Sequence, residues 1–312
     1  MGDLLEARLK KLLSRPIVVA SHGDADGVSS AVLFSYAFVV KDVVFPNMFG
    51  DVDDSIDVVL DMRPRDPSYS NIVIDHHPEH PENRNYHLIW ENVPTSLIVW
   101  KLVKDKISKN QWWKVVVGLC GDGAPELIPT EVWDTCPELF HEIVTQKSGR
   151  YGNFISRRPV WEMLSAPINF ACRLKQVGPS FAYKLLRVAK SPMDIVYEDA
   201  FAVARETIMQ EVNTIVSNLQ VLDTGKILYG EIRSENKVEG LVAMKFTKPG
   251  RAVMIVNKET GNIALRGTLA MWAKEKLNAR GWNFGGHPGW IGGNLENKST
   301  RQLLNDILEI SE

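Results

Sequence analysis

The chain has 312 residues, of which 45% are hydrophobic and 24% are charged, and its formal net charge is -2. This composition is typical of a globular protein with more than one domain, and it excludes a disordered chain or one that coats long nucleic acid by charge alone. No apolar run reaches the roughly 18–20 residues that span a bilayer, and no signal-peptide core is present, so we expect a cytoplasmic protein with no membrane contact. The three cysteines have no metal-ligand spacing, and we expect them to be reduced thiols.

Short apolar runs alternate with helical patterns in the first third of the chain. Helices are predicted at 4–14, 28–40 and 95–104, and strands at 17–20, 43–45, 56–60, 72–74 and 87–90. This alternation is typical of βαβ units around a parallel sheet. We therefore predict an α/β fold class with an N-terminal doubly wound, mainly parallel sheet.

The pattern becomes mostly helical beyond Ala124 and changes again near residue 226. Strands are predicted at 226–232, 241–246, 252–256 and 262–267, and helices at 198–219, 269–280 and 299–310. The second part is thus a smaller α+β domain. The predicted organisation is an N-terminal catalytic domain at 1–190, a helical connector at 191–225 and a C-terminal substrate domain at 226–312.

Acidic and imidazole side chains follow several of the apolar runs directly. They are Asp24 and Asp26 after the first run, Asp61 after the third, Asp75-His76-His77 after the fourth, and Asp122 after residues 114–120, which form either a strand or a buried helix. Ligands bind at the carboxyl ends of parallel strands, so we expect these side chains at one edge of the sheet. Carboxylates mixed with imidazole suit Mn²⁺ or Mg²⁺ better than a thiolate-bound zinc site. The alternative is that each is a turn, cap or strand-end residue.

Four motifs in this order resemble those of the DHH phosphoesterase superfamily. They are Asp24-Ala25-Asp26-Gly27, Asp61, Asp75-His76-His77 and Gly121-Asp122-Gly123. That superfamily includes RecJ-type exonucleases, nanoRNases with 3'-phosphoadenosine-phosphate phosphatase activity, cyclic-dinucleotide phosphodiesterases and family II pyrophosphatases. Near the C-terminus, the stretch from Gly285 to Gly293 resembles the glycine-rich motif of the DHH-associated domain, so the resemblance covers most of the chain.

The resemblance implies two Mn²⁺ ions, with Mg²⁺ or Co²⁺ as alternatives. The implied ligands are Asp24 and Asp61 for one ion, and Asp26, Asp61, His76 and Asp122 for the other. His22 is a further candidate ligand, but it lies two residues before Asp24, whereas pyrophosphatases and nanoRNases place their histidine four residues before. Its role is left open.

The resemblance also implies roles for residues that are not ligands. Asp75 orients the histidine pair, and His77 faces the scissile phosphate. The implied substrate-binding residues are Arg266, Gly285, Gly286, His287 and Gly289. Gly267 departs from the serine that the family often has beside the residue corresponding to Arg266. For the glycine-rich stretch from Gly285 to Gly293, the alternative is a plain hairpin without a role in binding. His80, His87 and His141 match no motif and are interpreted as surface or packing residues.

The function implied by the resemblance is a Mn²⁺-dependent phosphodiesterase or exonuclease that hydrolyses short single-stranded RNA or DNA to mononucleotides by a two-metal mechanism. The length leaves no room for the extra domains of bacterial RecJ exonucleases, which favours short substrates. One alternative is a small-nucleotide phosphoesterase acting on 3'-phosphoadenosine phosphate or a cyclic dinucleotide. Another is a RecJ-like replication or repair subunit with a scaffold role and protein partners. The oligomeric state, the polarity and the preference between RNA and DNA are left open.

Overall fold

The structure is a computed structural model, and it describes residues 15–46, 52–64, 66, 68–78, 80, 82–149, 152–175, 178–287 and 289–311. The described residues form two compact units. The first contains the residues up to Cys172 and from 178 to Arg205, and the second contains Arg173–Lys175 and the residues from Glu206 onward. The boundary at Arg205 falls inside the stretch interpreted as a connector. The predicted helix at 4–14 lies outside the described residues.

The first unit is built on a five-stranded sheet. Its strands are β1 (Ile17–Ser21), β2 (Val40–Val44), β3 (Val58–Leu60), β4 (Ile72–Asp75) and β5 (His87–Trp90), in the order β2-β1-β3-β4-β5. Every neighbouring pair is parallel. β3 and β4 are buried along their whole length, which is why their sequences are almost continuously apolar. The predicted α/β fold with a parallel sheet is confirmed.

Helices cover this sheet and continue along the chain beyond it. They are α1 (Ala25–Ala37), α2 (Thr95–Val103), α3 (Lys114–Gly121), α4 (Thr130–Thr135), α5 (Ser165–Arg173), α6 (Gly178–Val188), α7 (Pro192–Val196) and α8 (Asp199–Asn218). Short 3-10 helices occupy Lys109–Gln111, Pro125–Leu127, Pro137–Phe140 and Val160–Met163. The stretch at 114–120, left open between strand and helix, is therefore helical. None of the described helices is long and apolar enough to cross a membrane.

A separate two-stranded antiparallel ribbon was missed by the sequence analysis. Its strands are β6 (Glu142–Gly149) and β7 (Gly152–Pro159), in a region predicted to be mostly helical. Val144 and Ile155 are 58% and 66% exposed. A strand without a buried apolar face lacks the alternation that identifies strands in a sequence, so the pattern could not reveal it.

The second unit contains a six-stranded sheet in the order β12-β13-β11-β10-β9-β8. Its elements are β8 (Val221–Asp223), β9 (Ile227–Ile232), α9 (Glu239–Phe246), β10 (Ala252–Asn257), β11 (Asn262–Gly267), α10 (Ala270–Asn278), β12 (Phe284–His287), β13 (Trp290–Asn294) and α11 (Thr300–Ser311). The predicted strand at 241–246 is wrong, because these residues belong to α9. Strands β9 and β10 are parallel, and parallel neighbours need a crossover connection, which α9 supplies.

Candidate metal centre

The carboxyl ends of three adjacent strands build the candidate site. His22 and Asp24 follow β1, Asp61 follows β3, and β4 ends in Asp75, directly before His76. Because β1, β3 and β4 are neighbours in the sheet, these side chains lie at one edge. The predicted convergence of the three strand ends is therefore present in the structure.

Asp61 lies at the centre of this cluster. Its backbone has a φ of 58°, a left-handed conformation that aspartate and asparagine adopt more readily than most residues, and its side chain is 1% exposed. Oδ1 accepts a hydrogen bond from Thr95 Oγ1 at 3.1 Å and lies 3.3 Å from His76 Nε2. Oδ2 lies 3.6 Å from His22 Nδ1. The two oxygens of Asp61 thus face two different groups of potential ligands.

The first group consists of His22, Asp24 and Asp61, each of which offers one ligand atom within 4.8 Å of the others. His22 Nδ1 lies 2.9 Å from Asp24 Oδ2. Asp24 also caps α1, since its Oδ1 accepts the backbone N–H of Gly27 at 3.0 Å. Its second oxygen remains on the side of His22. The helix-cap interpretation and the ligand interpretation of Asp24 are therefore compatible.

The second group consists of Asp26, His76 and Asp122. Asp26 is fully buried, and its two oxygens accept the backbone N–H groups of Thr95 and Ser96 at 2.7 and 3.0 Å. These amides belong to the first turn of α2, where the helix dipole favours a negative charge. Asp122 terminates α3 and places Oδ2 3.3 Å from His76 Nε2.

Close packing holds this second group in place. A Cβ added to Gly118 of α3 lies 2.2 Å from Ser96 Oγ and 2.5 Å from Asp26 Oδ1. Only glycine therefore allows α3 to approach α1 and α2 so closely. The sequence pattern shows no reason for this glycine, which becomes apparent only when the three helices are packed.

The carboxylates of the cluster strongly affect one another. Burial and the charge of Asp61 raise the pKa of Asp26 to about 8. Burial and the charges of Asp26 and Asp61 raise the pKa of Asp122 to about 10. Burial also opposes ionisation of Asp61, but the neighbouring imidazoles of His22 and His76 outweigh it and hold the pKa of Asp61 well below its usual range. So many buried carboxyl groups can all ionise only when a cation neutralises them.

These residues fit a divalent metal centre. Asp61 Oδ2 is buried and forms no hydrogen bond with any described residue, so it has a lone pair available for a cation. The donor set consists of carboxylate oxygens and imidazole nitrogens with no sulfur, which suits Mn²⁺ or Mg²⁺. The residues that could hold one ion are His22, Asp24 and Asp61, and those that could hold another are Asp26, His76 and Asp122, with Asp61 between them.

Asp75 and His77 form a hydrogen-bonded pair beside the cluster. Asp75 is fully buried, and its Oδ1 lies 2.7 Å from His77 Nδ1 and accepts the backbone N–H of His76 at 2.8 Å. Burial opposes ionisation of Asp75, but its contacts with His77 and His80 keep its pKa at about 2. A carboxylate at Nδ1 fixes the orientation of the His77 ring, and contact of His77 with a substrate phosphate stays a prediction.

Four residues at the site were not identified from the sequence. Thr95 and Ser96 were assigned only to a helix, although Pro94 before a Thr-Ser pair is typical of a helix start that can bind an anion. His80 was interpreted as a surface or packing residue, yet its side chain is 4% exposed and Nε2 lies 3.0 Å from Asp75 Oδ2. Trp90 ends β5 with 44% exposure, and its Nε1 donates to the backbone oxygen of His77 at 3.0 Å.

The predicted substrate-binding residues lie in the second unit. Gly285 and Gly286 belong to β12 and Gly289 to the turn before β13, so the motif forms an antiparallel hairpin. Gly286 has a φ of 105°, and an added Cβ lies 2.3 Å from the backbone oxygen of Trp290, so glycine is required there. His287 ends β12, where its backbone pairs with Trp290. Contact of this hairpin with phosphate stays a prediction.

Arg266 lies on β11, beside the hairpin. Its Nη1 donates to the backbone oxygen of Ile291 at 2.6 Å, and its guanidinium carbon lies 5.0 Å from the ring centroid of Trp290. Burial and the nearby charge of Arg173 lower the pKa of Arg266 to about 10, so it stays charged at neutral pH. The side chain is anchored at Nη1, which also donates to the backbone oxygen of Leu265 at 2.9 Å, and its contact with an anion stays a prediction.

Solved structures resemble this chain over most of its length. Against exonuclease RecJ bound to manganese, the TM-score is 0.64 with 16% identity over 100% of this chain and 94% of that one. Against RecJ with Mn²⁺ from Thermus thermophilus, the TM-score is 0.64 with 15% identity over 98% of this chain, which spans about half, 53%, of that one. CDC45 from Entamoeba histolytica gives 0.52 with 9% identity over 99% and 97% of the two chains. No protein-family model and no curated protein sequence matches the chain.

Proposed function

We propose, on the grounds of its fold and its four-motif series, that the chain belongs to the DHH phosphoesterase superfamily. From that premise, we propose that it is a metal-dependent phosphodiesterase acting on short single-stranded oligonucleotides. The observation that carries this proposal is the position of Asp61. One of its oxygens faces His22 and the other faces His76, so a single buried carboxylate joins two potential ligand groups. A bridging carboxylate of this kind is the central requirement of a two-metal site.

A bound pair of divalent ions lowers the pKa of water and neutralises charge on an attacked phosphate. The chain itself holds the ligands in place before any ion binds. The N-terminus of α2 fixes Asp26 through two backbone hydrogen bonds, and Thr95 Oγ1 fixes Asp61. Asp75 fixes His77, whose Nε2 can donate a proton to the phosphate or to the leaving oxygen. Asp26, Asp61 and His77 thus each have a support that lies outside the ligand set.

The substrate class is tested directly with a panel of phosphate compounds. The purified protein with Mn²⁺ is expected to release mononucleotides from RNA or DNA of a few residues, and a chelator is expected to stop the reaction. The panel contains short oligonucleotides of both sugars, 3'-phosphoadenosine phosphate, cyclic dinucleotides and pyrophosphate. Parallel assays with Mg²⁺ and Co²⁺ identify the ion. Hydrolysis of pyrophosphate alone contradicts the proposal, and hydrolysis of only the small nucleotides supports the alternative substrate class.

Trp90 supports a substrate that carries a base. Its exposed indole is held beside His77 by the bond from Nε1 to the backbone oxygen of that residue. A fixed, exposed aromatic face next to a phosphate-directed histidine is a stacking surface for a nucleobase. Pyrophosphate, which has no base, makes no use of such a surface.

Replacing Trp90 by alanine is expected to lower kcat/KM for a short oligonucleotide by about 10-fold or more, because stacking contributes roughly 1–3 kcal/mol per base. On the same oligonucleotide with an abasic nucleotide at the reacting position, the substitution is expected to lower kcat/KM much less. Trp90→Phe is the matched control, because it keeps an aromatic ring for stacking and removes the indole N–H. Equal losses on the normal and the abasic substrates contradict a stacking role.

A scaffold function in a replication complex is the second candidate, because CDC45 is among the structures that this chain resembles. The two candidates differ in metal binding. A scaffold has no need of the ligand groups around Asp61, whereas hydrolysis requires them. Protein purified without chelator that neither contains nor binds Mn²⁺ supports the scaffold, and tight binding of close to two ions per chain supports the enzyme.

A further inference from the structure

A line of polar contacts leads from His77 into the interior of the first unit. His77 Nδ1 lies 2.7 Å from Asp75 Oδ1, and His80 Nε2 lies 3.0 Å from the other oxygen of Asp75. His80 Nδ1 in turn lies 2.7 Å from the hydroxyl of Tyr86. Asp75 is thus held between two imidazoles, and the one farther from His77 has a tyrosine behind it.

Tyr86 is the donor at the inner end of this line of contacts. Tyr86 is 4% exposed, and burial raises the pKa of its hydroxyl, which therefore keeps its proton. Because the phenol is protonated, it can donate to His80 Nδ1, and the remaining ring proton of a neutral His80 is then on Nε2, opposite Asp75 Oδ2. The hydroxyl of Tyr86 selects the tautomer of His80 in this arrangement.

The two oxygens of Asp75 are supported unequally. Oδ1 has three donors in the backbone N–H groups of His76 and His77, at 2.8 and 3.3 Å, and in His77 Nδ1. Oδ2 forms no well-aligned hydrogen bond with the described residues, and His80 Nε2 faces it at 3.0 Å. His80 Nε2 likewise forms no well-aligned hydrogen bond, so a small rotation of its ring is needed before it can donate to Oδ2. A buried carboxylate oxygen without a donor is costly, and His80 Nε2, at 3.0 Å, is close enough to become that donor, so we expect the orientation of Asp75 to depend on His80.

We propose that His80 and Tyr86 are positioning residues that act through Asp75 to hold His77 as the Nδ1–H tautomer, with Nε2 directed away from the carboxylate. This inference rests on the proposed function, in which His77 meets the substrate phosphate. Neither residue touches the reacting atoms. Their effect is to prevent rotation of Asp75, which would release the ring of His77 from its single orientation.

Tautomer measurements by NMR test the proposal without any assay of activity. The full chain is labelled with ¹⁵N-histidine and studied with Mg²⁺ as a diamagnetic probe, at a pH where His77 is neutral. The wild-type ring nitrogens of His77 are expected to show the Nδ1–H tautomer alone. In His80→Leu and Tyr86→Phe, the two nitrogen shifts of His77 are expected to move toward each other as the tautomers mix. Unchanged His77 shifts in both folded variants overturn the proposal.

Kinetics provide the second measurement. Loss of an outer hydrogen-bond partner typically costs 10–100-fold in activity, so His80→Leu is expected to lower kcat by about that factor while KM changes by less than about 2-fold. Tyr86→Phe is expected to lower kcat by a smaller factor, about 3–10-fold, because it removes one hydroxyl and leaves His80 in place. His80→Gln restores an N–H near the position of Nε2 and is expected to recover most of kcat.

Matched controls separate positioning from packing. His141→Leu makes the same substitution at an exposed histidine, and Tyr69→Phe removes a buried hydroxyl that donates to the backbone oxygen of Ile56 at 3.1 Å. Both are expected to leave kcat and the His77 shifts unchanged. If the chain hydrolyses none of the substrates, the NMR result still decides the positioning role. A fall in thermal stability without any change of kcat or of the shifts shows that His80 only packs.

Discussion

Replacing Asp61 by asparagine is expected to lower phosphodiester hydrolysis by about 10³-fold or more, since loss of the bridging carboxylate removes several kcal/mol of charge stabilisation. The metal content is expected to fall as well, because both ligand groups include or adjoin this residue. Asparagine is the informative substitution at this position. It tolerates the left-handed backbone of Asp61, whereas alanine adds roughly 1 kcal/mol of strain there.

The measurement is a comparison of initial rates and bound Mn²⁺ with those of the wild type, together with thermal unfolding. Asp134→Asn, at an exposed aspartate, is the matched control and is expected to change neither quantity. A larger fall in thermal stability in Asp61→Ala than in Asp61→Asn measures the backbone contribution. Full activity of Asp61→Asn would contradict the two-metal mechanism.

Replacing Lys114 by methionine is expected to stabilise the protein at neutral pH. Lys114 is fully buried, and its Nζ donates to the neutral oxygens of Tyr36 and Gln111 at 2.5 and 2.6 Å and, more weakly, to the backbone oxygen of Arg187 at 3.4 Å. Burial lowers the pKa of Lys114 from 10.5 to about 7. Folding at pH values below 7 therefore buries a charge at a cost on the order of 4–5 kcal/mol. Methionine removes that cost and loses three hydrogen bonds, two of roughly 1 kcal/mol each and a long one of about 0.5 kcal/mol, for a net gain of about 2 kcal/mol.

The sign of the pH dependence follows from the lowered pKa of Lys114. Between about pH 7 and the unfolded pKa of 10.5, the unfolded chain binds the proton that the folded chain has released. The free energy of unfolding contributed by this lysine thus rises with pH in the wild type and not in Lys114→Met. Urea unfolding at several pH values from 7 to 10 is expected to show the advantage of the variant disappearing. Lys184→Met, at an exposed lysine of α6, is the control. An advantage that does not change with pH contradicts the prediction.

The sheet of the first unit was predictable because its central strands β1, β3 and β4 are buried. Burial of β3 and β4 on both sides required almost continuous apolar runs, and the residues after these runs then had to lie at the sheet edge. This reasoning identified Asp61 and Asp75. It failed for the β6–β7 ribbon, whose apolar residues are exposed, and for α9, whose short apolar run has the same composition as a buried strand.

The sequence by itself determined which acids and imidazoles stand at strand ends and in which order. Together with the apolar runs before them, these residues were sufficient to predict the parallel sheet and to recognise the motif series. Only the tertiary structure decided which partners support them. The backbone N–H of Thr95 donates to Asp26, which lies 69 residues earlier in the sequence, and the ring of His80 lies against the carboxylate of Asp75. The physical reason is that strand and helix periods are local properties of the chain. The partners of a buried carboxylate depend instead on which strands and helices become neighbours, and no local pattern records that.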